Sequence, residues 1–116
     1  MLPKEYRLKK KDDFQRVYKK GRFFSSKGLV VSFINNSEKT SRFGFAIGKG
    51  YSKSAVLRNQ AKRVLRSSVA KIVNNIVSGK DFVISLKKFS SEEKISTNSM
   101  TILLKKIFEK NKLLKK

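Results

Sequence analysis

Phe43-Gly44-Phe45-Ala46-Ile47-Gly48 alternates bulky apolar residues with glycine and alanine. Successive side chains of a strand point to opposite faces. The run therefore predicts a strand with one bulky face and one face almost without side chains. The bulky face belongs in a core. The bare face lets a packed helix or a ligand come close to the backbone. Downstream, Lys53 to Val77 is the longest helical stretch, with Leu57, Ala61, Val64, Leu65, Ser68, Ile72 and Ile76 on one side at the helical period. Ser78-Gly79 closes it, and Phe82, Ile84 and Leu86 alternate as a further strand. A strand feeding a long amphipathic helix that returns to another strand fixes the plan: helices packed on a sheet.

The flanks extend that plan. Upstream, Asp12 to Lys20 carries Phe14, Val17 and Tyr18 at helical spacing, with Gly21 in the C′ position. Arg22 to Ser26 suits a small edge strand. Leu29 to Ile34 is β-branched and aromatic and predicts a strand, and Asn35 to Ser41 reads as a turn. Downstream, Ser90 to Thr97 is polar. Met100, Leu103, Leu104, Ile107 and Phe108 then mark a last amphipathic helix. The expected fold is α+β: a single domain over 1–116, with a central sheet of about four strands and three helices in the order α-β-β-β-α-β-α. Residues 1–11 and 111–116 are expected to be mobile basic ends.

Composition narrows the chemistry. The 116 residues include 29 Lys plus Arg against 8 Asp plus Glu, a formal net charge of +21. Aromatic and β-branched content argues against simple disorder. Such a surplus calls for a dense polyanion, nucleic acid before an anionic membrane. No run approaches the roughly 18 apolar residues of a membrane-spanning helix. The first residues lack the apolar core of a signal peptide, so a cytoplasmic protein is expected. With no histidine and no cysteine, Ser-His-Asp, Cys-His and His–metal arrangements are excluded. The acid pairs Asp12-Asp13 and Glu92-Glu93 fall where helices are expected to start, where they complement the helix dipole. No catalytic residue and no metal site are expected on the protein.

The informative segment is Ser54 to Arg66. Arg58, Lys62 and Arg66 are spaced i, i+4, i+8 and form a ridge of cations, which Asn59 and Arg63 widen. Like charges at that spacing repel, and no carboxylate is interleaved; phosphates would supply the counter-charge, gripped by the planar fork of arginine. Lys49, just upstream, adds to this set. Phe14 and Tyr18 lie one turn apart amid Lys9, Lys10, Lys11, Arg16, Lys19 and Lys20. Aromatics among cations suit single-stranded nucleic acid, whose bases stack while cations track the backbone; packing of the first helix on the sheet would use the same pair. Gly44 to Gly50 imitates a phosphate loop but has the wrong spacing, so no nucleotide site is expected.

Arg7-Leu8-Lys9-Lys10, Asp13 to Gly21, Gly44 to Lys49 and Arg58 to Arg66 together resemble the protein subunit of bacterial ribonuclease P, over Arg7 to about Phe108. The resemblance implies an endoribonuclease that removes the 5′ leader of precursor tRNA, with catalysis and Mg²⁺ belonging to its RNA component. It implies that the protein binds that catalytic RNA and the leader but no DNA and no membrane. RNA contacts would come from Arg58, Asn59, Lys62, Arg63, Arg66 and Lys49. A leader groove would be walled by Phe14, Tyr18, Val30, Ser32 and Ala46. The resemblance also implies a left-handed strand–helix–strand crossover. Three positions depart from the family pattern: Gln60 replaces a cation, Gly50 replaces a lysine, and Ser32 stands where an aromatic is common. The alternative is a structural RNA-binding protein of ribosomal type with no part in cleavage.

Overall fold

The computed structural model describes residues 2–26, 28–86 and 96–115. Helix α1 (Lys11–Lys20) leads into β1 (Arg22–Ser26), β2 (Leu29–Asn35) and β3 (Arg42–Ala46). Helix α2 (Ala55–Ile72), strand β4 (Lys80–Leu86) and helix α3 (Thr97–Lys110) follow. The expected element order is therefore present, with two short 3-10 turns added at Lys4–Tyr6 and Val73–Asn75. The four strands form one sheet in the order β1-β2-β4-β3. β1 with β2 and β2 with β4 run antiparallel, while β3 and β4 are parallel neighbours joined through α2.

Strand alternation sorts the residues between two layers. Leu29, Val31, Phe43, Phe82, Ile84 and Leu86 face α2 and α3, where they meet Ala61, Leu65, Val69, Ile72, Met100, Leu104, Ile107 and Phe108. Phe82 anchors this core: its ring stacks on Phe43 at 5.0 Å and takes Phe108 edge-on at 5.3 Å. The opposite face holds a smaller cluster of Leu8, Val17 and Val83, bordered by Phe14, Ile34 and Ala46, under α1.

Several expectations are corrected. Residues near both ends are packed rather than free. Leu2 is fully buried in the main core. Arg7 bridges Phe43 in parallel, and the Leu8 N–H donates to the Phe43 carbonyl at 2.9 Å. The physical reason is that β3 lies at the sheet's edge, and its outer backbone groups need partners. At the other end, Leu113 is buried and the Val77 N–H donates to its carbonyl at 2.8 Å, while Ile76 and Leu114 form an antiparallel bridge. Leu113 and Leu114 are apolar among lysines, so the chain folds back to bury them. Helix α2 ends at Ile72, and Ile76 reaches the core from beyond it. Leu57 stays 48% exposed, because it lies in the first turn at the margin of the apolar side.

Gly21 ends α1 but not in a left-handed conformation; its φ is −83°. A Cβ there would lie 2.5 Å from the carbonyl oxygens of both Phe33 and Val17, so close approach demands the glycine. Asp12 and Asp13 occupy the first turn of α1 as expected. Helix α3 opens at Thr97 with a capping box between Ser96 and Ser99, and Glu92 and Glu93 lie outside the described residues.

Candidate nucleic-acid interface

The face of the sheet under α1 can be read as rows, because paired residues of neighbouring strands share a face. One row runs Ile34–Asp81–Arg42, the next Phe23–Ser32–Val83–Gly44, and the third Ser25–Val30–Ser85–Ala46. The first row fastens α1. Asp81 is fully buried and accepts four hydrogen bonds: from Arg42 Nε at 2.9 Å and Nη2 at 2.8 Å, from Arg16 Nη2 at 2.8 Å, and from Asn36 Nδ2 at 2.8 Å. Asp13 lies 3.4 Å from Arg16 and 3.8 Å from Arg42. Burial on its own would raise the Asp81 pKa, but the hydrogen bonds and charge of Arg42, with those of Asn36 and Arg16, outweigh it and hold the carboxyl below its ordinary value.

This clasp orients the helix. Asp13 and Arg16 lie on one flank of α1, with Val17 pointing down into the small cluster. At about 100° per residue, Phe14 and Tyr18 fall on the opposite flank, toward the second and third rows. The ring of Phe14 covers Gly44 so closely that a Cβ there would lie 2.4 Å from Phe14 Cζ. The bare strand face is thus filled by a packed helix over Gly44, whereas Ala46 remains half-buried and Gly48 exposed.

Phe14 is half-buried and Tyr18 exposed on this flank of α1, and Val30 and Ala46 are half-buried on the sheet face that α1 covers. Tyr18 is 54% exposed, and burial of part of its ring raises the phenol pKa above the ordinary 10.0. Ser32 lies on the same face but is buried, at 7% exposed. Of the two uses of Phe14 weighed from the sequence, packing of the first helix on the sheet is present, since the ring covers Gly44.

The cation ridge lies across the sheet. Ala61, Leu65, Ser68, Val69 and Ile72 turn α2's apolar side to the core. Ser68 and Lys71 bond Thr97 and Asn98 of α3. Helical periodicity puts Arg58, Lys62 and Arg66 on the flank away from α3. Their stems are half-buried, while Asn59 and Arg63 are exposed. Among the described residues, all ion pairs involve Asp13 or Asp81, and none reaches this ridge. Arg58 carries a second duty: its Nη1 donates to the carbonyls of Ser52 at 3.0 Å and Lys53 at 2.9 Å, bracing the loop before the helix. Ser54 caps that helix by accepting from the Leu57 N–H. Exposed Lys49 lies in the same loop.

Sequence reasoning missed the Asp81 clasp and Phe23. A lone acid inside the strand run Lys80-Asp81-Phe82 was the available signal for the first. For the second, the signal was a second phenylalanine in a strand that buries only alternate residues.

Fold and surface together define a small, basic α+β domain, with α1 and its aromatics on one side of the sheet and, on the other, a ridge of cations that are unpaired among the described residues. The family model described as Ribonuclease P matches residues 2–112, and the chain belongs to that family. The ribonuclease P protein component of Bacillus cereus strain AH187 is 37% identical over 92 residues, 78% of this chain and 79% of that one. Among solved structures, the ribonuclease P protein of Staphylococcus aureus aligns with a TM-score of 0.79 at 30% identity, covering 93% of this chain and 96% of that one. The Thermotoga maritima protein gives 0.78 at 26%, covering 90% and 96%. Membership gives the chain a role in tRNA 5′-end processing as the protein component of a ribonucleoprotein.

Proposed function

We propose that this chain holds two RNAs at once: the catalytic RNA of ribonuclease P on the α2 ridge, and the single-stranded 5′ leader of precursor tRNA in the groove beside α1. The observation that carries this reading is the separation of the two surfaces. The cations of Arg58, Lys62, Arg63 and Arg66 lie on one side of the sheet. Phe14, Tyr18, Val30 and Ala46 lie on the other. A ridge of cations without carboxylates suits the phosphates of a structured RNA. An aromatic wall above a small-residue floor suits unpaired bases. Exposed Lys49, in the loop joining β3 to α2, adds a further cation.

Hydrolysis of the phosphodiester belongs to the RNA component. Asp13 and Asp81 are engaged by guanidinium groups, and no three His, Cys, Asp or Glu side chains converge among the described residues. Mg²⁺ held by the RNA supplies the Lewis-acid chemistry. The protein's part is to grip the RNA, extend the leader along the groove and hold the cleavage site in register. This work takes place in the cytoplasm. The test is reconstitution with the catalytic RNA at low Mg²⁺, using precursors with long and short leaders. The protein should restore cleavage and favour the long leader. Cleavage unaffected by the protein would overturn the proposal, and binding indifferent to the leader would favour the ribosomal-type alternative.

A further inference from the structure

The groove does not end at Ser32. On the neighbouring edge strand, Phe23 pairs directly across from Ser32 and so shares its face. The next residue settles the orientation: Phe24 stacks on Phe33 at 5.5 Å on the core side, which turns Phe23 outward on the α1 side. Phe23 is 69% exposed, more than any other exposed large apolar side chain among the described residues. Lys19, Lys20 and Arg22, all exposed, lie within four residues of it along the chain, although Arg22 pairs with Phe33 and so faces the other side of the sheet. A bare phenylalanine on an edge strand is a liability for aggregation, and its retention needs an occupant. An exposed apolar ring on the α1 side of the sheet, close in the chain to cations that have no carboxylate paired to them among the described residues, fits a nucleobase attached to phosphate.

We infer that Phe23 is a stacking platform for one base of the single-stranded leader, extending the groove across Ser32 to the outer strand. Ser32 is too small and too covered to stack. Phe23, one strand over in the same row, supplies the ring that Ser32 cannot. The inference rests on the leader-binding reading above and adds a specificity-determining residue to it. It also predicts that the groove runs across the strands from Ala46 past Val30 to β1, so that the base on Phe23 lies at the opposite end from Lys49.

The test uses the reconstituted holoenzyme with precursors whose leader carries 2-aminopurine at successive positions. F23A should weaken long-leader binding by roughly 5- to 150-fold, the range for loss of one stacked base, and leave leaderless tRNA unchanged. At one leader position, 2-aminopurine quenching should vanish in F23A and return in F23Y. Because the ring is exposed, F23A should unfold with wild-type stability. Wild-type affinity and quenching in F23A, with leader dependence intact in the parent, would overturn this inference alone. Absence of leader dependence in the parent would overturn the reading beneath it. Self-association of the parent that F23A abolishes, with leader binding unaltered, would assign the ring to contact between copies instead.

Discussion

Replacing Asp81 by alanine should remove the clasp between α1 and the sheet. Asp81 is fully buried and accepts two hydrogen bonds from Arg42, one from Arg16 and one from Asn36. Bonds to a charged group are worth about 1.5–3 kcal/mol each in isolation, but they are not additive within one network. Removing one member of a buried pair costs about 3–5 kcal/mol. The Arg16 side chain is 42% exposed, so solvent screens its share, and Arg42, at 24%, carries more. A loss of about 3 kcal/mol is the reasoned expectation, against a typical total of about 5–15. In urea, with an m-value of about 1–3 kcal/mol/M, the midpoint should fall by about 1–3 M.

Acid titration gives the same prediction an independent readout. The folded pKa of Asp81 lies below its ordinary 3.8. On acidification the unfolded chain therefore takes up this proton first. The stabilisation is complete above that ordinary value and is lost as pH falls through the folded one. Asp81→Ala should consequently flatten the acid limb of the stability curve as well as lower its plateau. A midpoint shift below about 0.3 M, which at this m-value is under about 1 kcal/mol, together with an unchanged acid limb, would refute the reasoning that this carboxylate holds α1 down.

Arg66→Ala should weaken binding to the catalytic RNA and reduce the slope of log affinity against log salt by about 1; filter binding across a KCl series with an unchanged slope would take Arg66 off the phosphates. Gly44→Ala puts a methyl 2.4 Å from Phe14 Cζ, so it should cost about 1–3 kcal/mol in urea unfolding. That cost should shrink in a Phe14→Ala background, and full additivity in the double-mutant cycle would mean the two do not touch. Leu113→Ala should cost about 2–5 kcal/mol, as for a buried leucine, whereas wild-type thermal unfolding would mark the C-terminal segment as loosely held.

Local features were legible in the sequence, and long-range ones were not. The alternation of Phe43, Phe45 and Ile47 and the heptad-like spacing of Met100 to Phe108 both depend on neighbours within a few residues. The ridge of Arg58, Lys62 and Arg66 is legible for the same reason. Asp81 is different: its partners stand 39, 45 and 65 residues away, at Arg42, Asn36 and Arg16. Only the strand order β1-β2-β4-β3 brings them together. The partner of Phe23 is likewise a matter of register, since a slip of one residue would turn it into the core. Leu2, between Met1 and Pro3, and the short pair Leu113-Leu114 among lysines offer no period. Their burial follows from an exposed sheet edge and an unfilled end of the core, which exist only once the fold is assembled.

The few acids explain how so much positive charge is kept available. Asp13 and Asp81 neutralise Arg16 and Arg42 beneath α1. Those arginines tie the helix and the sheet together through the two carboxylates. Placing the carboxylates there serves two ends. It fixes the angle at which Phe14 and Tyr18 overhang the sheet, and it keeps negative charge away from the groove's open rows and from α2. The alternative, acids spread along α2 at i+4 from each cation, would stabilise that helix by a few tenths of a kcal/mol per pair. It would also cancel the field that draws in a polyanion. The same logic explains why α2 depends on its apolar side and on the Ser54 cap for stability. Adding glutamates at exposed α2 positions such as Asn59 should therefore raise thermal stability slightly while lowering RNA affinity. If both rose together in paired melting and filter-binding measurements, the ridge would not be the RNA-facing surface.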